Sequence, residues 1–85
     1  MQIPKLKVLV EADAVREVEV SHEAGGWTVW VTYASRHGER RAVLERQRGG
    51  ARAFATLDAA ARCLIGLGLP AFRVNASGLA GDEPP

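Results

Sequence analysis

Residues 27–34 read WTVWVTYA, a run in which every position but the last is β-branched or aromatic. Such side chains fit a pleated, half-buried surface, so the run predicts a strand. Alternation then places Trp27, Val29, Val31 and Tyr33 on one face and Thr28, Trp30 and Thr32 on the other. The two tryptophans point to opposite sides of the sheet, and any fold for this chain must accommodate both.

The flanking segments supply neighbours for this strand. Residues 14–21, AVREVEVS, set Arg16, Val18 and Val20 against Glu17 and Glu19, the period of a half-buried strand. HEAGG supplies a loop, SRHGE a turn around Gly38, and RRAVLER at 40–46 a returning strand, which together make a β-meander. Pro4, followed by Leu6, Leu9, Val10 and Ala14, predicts a short helix over residues 4–13. Thr56 suits a helix N-cap and Asp58 the positive end of the dipole, so the main helix is expected over about 56–67. Leu57, Ala61, Leu64 and Ile65 are expected to face the sheet, and Gly66, Gly68 and Pro70 to stop the helix. AFRV reads as a last short strand, and the aperiodic residues 76–85 as a disordered tail.

The sum is an α+β fold in one domain, residues 1–75. It has a mostly antiparallel sheet of three to five strands, one long helix packed on a face, and a short N-terminal helix. One long helix covers only one face. The N-terminal helix is one candidate to cover the other. A homodimer is the alternative, with Trp30 as its contact, formed by sheet faces packing together or by pairing of an edge strand such as 14–21. A chain of 85 residues buries only about 60% of its unfolded surface, which gives shared core between subunits some appeal.

Composition narrows the function. The 47% hydrophobic and 25% charged fractions are those of a globular domain. Cys63 is the single cysteine, so no intramolecular disulfide forms. The first residues carry no long apolar run or cleavage site, and no stretch approaches the ~20 apolar residues of a bilayer span. A cytoplasmic protein without membrane association is expected. Nine arginines against two lysines, beside fourteen alanines, fit a GC-rich bacterial gene.

The chemistry expected of an enzyme is not evident. His22 and His37 fall in predicted loops without a second ligand at metal spacing. Cys63 lies mid-helix among alanine and leucine, where free cysteine behaves as a small hydrophobe. Ser21, His22 and Asp13 lack a nucleophile elbow, and the glycines at 66 and 68 follow a helix instead of preceding one, unlike a phosphate loop. NAS at 75–77 matches a glycosylation acceptor that a cytoplasmic chain does not use. No catalytic residue, metal, cofactor or small-molecule substrate is expected.

The arginines are the remaining candidates. Residues 36–52 hold six arginines and two glutamates, a local excess of +4 in a chain of net charge +1. A twisted ribbon bearing Arg36, Arg40, Arg41, Arg46, Arg48 and Arg52 could enter a DNA groove. Against this, Glu39 and Glu45 interrupt the run, and alternation divides the arginines between faces. A solvated face and a nucleic-acid surface both stay open, with Arg40, Arg41, Arg46, Arg48 and Arg52 as the surface for DNA or a protein partner.

LVEADAVREVEV, GGWTVWVTY and RGGARAFATLDAAARCLIGLGLPAFRV, in that order over about residues 3–75, resemble the ParC-type partition-associated accessory proteins of bacterial plasmids and integrative elements. That resemblance implies a role in plasmid partition or maintenance beside ParA-type and ParB-type proteins, with no catalytic residue to carry over. A more distant likeness is to the arm-binding domains of phage-type integrases, three strands and a helix, although the lysine-rich strands of those domains are missing here. The expectation is therefore a non-enzymatic, dimeric accessory protein acting through protein–protein contacts. A small DNA-binding module using the arginine-bearing hairpin is the alternative.

Overall fold

Alternating apolar positions on two successive strands build the centre of the structure, a computed structural model that describes residues 1–23 and 25–80. The order is α1 (Ile3–Glu11), β1 (Val15–Glu23), β2 (Gly26–Ser35), β3 (Gly38–Val43), α2 (Leu57–Gly66), β4 (Arg73–Asn75) and α3 (Ser77–Ala80). The sheet runs β3-β2-β1-β4. The meander is antiparallel, whereas β4 returns parallel to β1, which makes the sheet mixed.

Pairing of Val18 with Val31, Val20 with Val29 and His22 with Trp27 puts the apolar residues of both strands on one face. Val20, Val29, Val31, Leu6, Leu44 and Leu64 are fully buried there. Each such side chain removed from water contributes about 1.5–3 kcal/mol, so this small cluster dominates the stability.

Both α1 and α2 lie on this core face. From α1, Leu6 enters the core and Lys5 Nζ sits 5.4 Å from the centroid of Tyr33. From α2, Ala60 and Leu64 are buried. The expectation that α1 shields the second face is thus corrected: its single apolar stripe has already found the core. Ile65 is also corrected, being 59% exposed, because the small Ala60 lets the helix approach along the stripe Ala60–Leu64 instead.

The two helices end alike. Gly68, at φ 85°, donates to the Ile65 carbonyl and Leu69 to the Leu64 carbonyl, the paired bonds of a Schellman stop. At α1 the same pair runs from Asp13 to Val10 and from Ala14 to Leu9, with Asp13 at φ 55° in the position glycine usually holds. Thr56 Oγ1 accepts from the Ala59 amide at 3.1 Å, the expected N-cap of α2.

β1 is an inner strand, bonded to β2 on one side and to β4 on the other. The expected edge at residues 14–21 is thus covered by β4 over Glu19–Ser21, the span of that pairing. β3 is shorter than its sequence implies because the chain leaves β2 after Leu44, whose amide bonds the Val29 carbonyl. Phe54 then takes the vacated edge, exchanging two 2.8 Å bonds with Trp27. Beyond Asn75 the expected tail begins as a helical turn, α3, packed on β1. Its Gly78 lies so near the His22 carbonyl that an added Cβ would fall onto it. The rest of that segment, 81–85, lies outside the described residues.

Candidate interaction surfaces

The second face of the sheet presents Glu17, Glu19, Ser21 and Glu23 from β1. Beside them stand Thr28, Trp30 and Thr32 from β2, Glu39, Arg41 and Val43 from β3, and Arg73 and Asn75 from β4. The glutamates recur at every second residue because β1 alternates, and they stand outward because Val18 and Val20 fill the core. At the hairpin end Ser21 and Thr28 are buried, with Thr28 Oγ1 donating to the Ser21 carbonyl at 3.3 Å.

Trp30 is half-buried at the middle of this face. Its indole N–H donates to Glu23 Oε1 at 3.0 Å, and the Arg41 guanidinium covers its ring. Arg41 also donates to Glu19 Oε1 at 3.1 Å, and Ser21 donates to the same oxygen at 3.0 Å. Arg73 Nη1 reaches Glu17 Oε1 at 2.7 Å. The face is polar with a half-buried aromatic centre, and water can solvate most of it.

The six central arginines do not converge. Arg41 belongs to the open face, while Arg40 pairs with Tyr33 and so stands toward the core face. Arg36 is exposed in the β2–β3 turn. Arg46 folds onto its own turn, its Nε donating to the Gly49 carbonyl at 3.3 Å. Arg52 lies over Phe54, 4.6 Å from the ring centroid. Arg48 is exposed at the tip of the turn. Alternation and the turn account for the scatter, and no single arginine-lined ribbon forms.

The Arg-Gly-Gly segment is a backbone device. Gly49 and Gly50 take φ 89° and 77°, and the turn closes through Arg46 N–H to Gly50 O and Gly49 N–H to Arg46 O, each 2.9 Å. Beside it lies a cleft of about 280 Å³ lined by Gln2, Ile3, Pro4, Glu45, Gln47 and Arg52. Its carboxylate is already engaged, since Glu45 pairs with the Met1 ammonium, which also donates to the Val43 carbonyl at 2.9 Å.

Several of the other singled-out residues have structural partners. His22 belongs to β1, not to a loop, and meets Trp27 edge to face with ring centroids 5.0 Å apart. Ser21 and His22, as neighbours on a strand, point to opposite faces, and Asp13 lies at the far end of β1, so the three do not assemble. His37 is exposed in the β2–β3 turn, and Cys63 is half-buried against the core. Asn75 Oδ1 accepts from the Ser77 amide and hydroxyl, starting α3. No cluster of three metal-ligating side chains occurs among the described residues, and no helix there is long and apolar enough to cross a membrane.

Sequence reasoning missed the glutamate row as a surface. The signal was present in the spacing 17, 19, 23, but treating residues 22–26 as loop cut Glu23 from the strand.

A fold of this order, two helices on one face of a small mixed sheet, accompanies a family match. The ParC-like family model covers residues 1–80, and the chain belongs to the ParC-like family. Neither a curated protein nor a solved structure matches it.

Proposed function

We propose that the chain is a non-enzymatic accessory protein of plasmid partition or maintenance, acting through protein–protein contacts beside ParA-type and ParB-type proteins. Membership of the ParC-like family supports the partition-related role. The observation that carries the mode of action is the open sheet face. It bears four glutamates against two arginines around Trp30, a surface that repels phosphate and suits protein, since tryptophan and arginine are the side chains that anchor protein interfaces. The alternative DNA module needs the central arginines to act together, and their separation speaks against it.

A gel shift on duplex DNA at low and moderate salt, with chromatography of the chain mixed with a ParA-type and a ParB-type protein, tests this. No shift even at low salt and co-elution with a partition protein is the expected result. Salt-sensitive DNA binding that is lost on Arg46→Ala with Arg48→Ala overturns it in favour of the DNA module.

A further inference from the structure

The open face and the remainder of the surface differ in sign. On the face stand Glu17, Glu19, Glu23 and Glu39 with Arg41 and Arg73. Everywhere else among the described residues, nine lysines and arginines face four acidic side chains. Two such faces stacked on each other would bring like charge together, so charge disfavours a symmetric contact at Trp30.

A surface of complementary charge lies on the same molecule. The 46–50 turn carries exposed Arg46, folded onto the Gly49 carbonyl, and exposed Arg48, with half-buried Arg52 following in the chain. The carboxylate adjoining it in the chain, Glu45, is neutralised by the Met1 ammonium, so the turn keeps its positive charge. The other basic projection, the β2–β3 hairpin end with Arg36 and Arg40, has Glu39 beside it and is partly cancelled. The 46–50 turn is also fixed by its two cross-bonds and two positive-φ glycines, so docking it costs little ordering. On the receiving face, the hydrogen bonds to Glu17, Glu19 and Glu23 all fall on Oε1, which leaves the Oε2 atoms able to accept guanidinium donors.

We propose that the open face of one copy takes the 46–50 turn of a second copy, so that the protein associates head to tail. This rests on the reading of that face as protein-binding and names its occupant. Because the two surfaces are different, the contact is heterologous, and an assembly that does not close on itself keeps one free face and one free turn. Its charge makes it salt-sensitive.

Sedimentation equilibrium of the full chain between about 10 μM and about 1 mM, in about 50 mM and about 500 mM salt, reads the association directly. The average mass is expected to climb with concentration at low salt and to return to the monomer at high salt. Glu19→Lys with Glu23→Lys removes the face, and Arg46→Glu with Arg48→Glu removes the turn. Each variant is expected to be monomeric alone, while their equimolar mixture forms a dimer and nothing larger, a pattern only a two-surface contact produces. If the lysine variant does not fold by circular dichroism, Glu19→Gln with Glu23→Gln takes its place. A wild-type monomer at both salts, association of either variant alone, or a mixture that stays monomeric overturns the head-to-tail contact. Those outcomes leave binding to partition proteins, measured separately, intact.

Discussion

The Arg41 guanidinium lies over the ring of Trp30, its carbon 4.3 Å from the ring centroid, while the same group donates to Glu19. One side chain thus ties β3 to both inner strands across the open face. Arg41 is half exposed, at 50%, so screening keeps the ion pair weak and the stacking supplies most of the effect. Arg41→Ala should lower unfolding free energy by about 0.5–1 kcal/mol in urea denaturation and shift the tryptophan emission. Arg41→Lys, which loses the planar stack, should recover less than half of it.

Neighbours on α2 should respond in opposite ways. Leu64 is fully buried and Ile65 mostly exposed. Leu64→Ala should cost about 2–4 kcal/mol, a large part of the stability of so small a domain. Ile65→Ala should stay within about 0.5 kcal/mol of wild type. Thermal unfolding of the pair checks this, and equal losses would return Ile65 to the core.

Asp13 holds the left-handed position that ends α1. An L residue is strained there, and glycine is not. Asp13→Gly should therefore stabilise the protein by about 0.5–1 kcal/mol, since its side chain is exposed and the Arg16 guanidinium bonds its backbone carbonyl, which is kept. A fall in melting temperature would show that the carboxylate contributes something the contacts do not reveal.

Gly78 has no room for a Cβ against the His22 carbonyl. Gly78→Ala should push α3 off β1 while leaving the three-stranded meander folded. Amide exchange is expected to quicken at residues 77–79 and to stay unchanged in β2; general loss of protection would contradict a local role.

The strands of the meander were legible because their side chains alternate without ambiguity: Val18 and Val20, Val29 and Val31 can be buried together in one register only. The Schellman stop of α2 was legible in Gly68 for the same reason, since few residues take that conformation. Other features are set by relations the chain does not encode locally. α2 is apolar nearly all round, so its stripe is read from packing, and Ala60 is selected over Ile65 by how closely the helix approaches. The amphipathic pattern of α1 fits either face of a sheet, and three residues in β4 carry no mark of direction. The arginines are close in sequence and apart in space because a strand and a turn intervene.

The place of β4 beside β1 has a consequence for how the chain is made. β1 emerges early in synthesis, yet its second neighbour is residues 73–75, some fifty positions later. Until those residues leave the ribosome, β1 carries an unpaired edge at Glu19–Ser21, a template for pairing with any other nascent chain. The final three-residue strand covers that part of the edge and replaces it with a much shorter one. A chain cut after Pro70 should retain its meander and precipitate, while one cut after Ala80 should stay in solution.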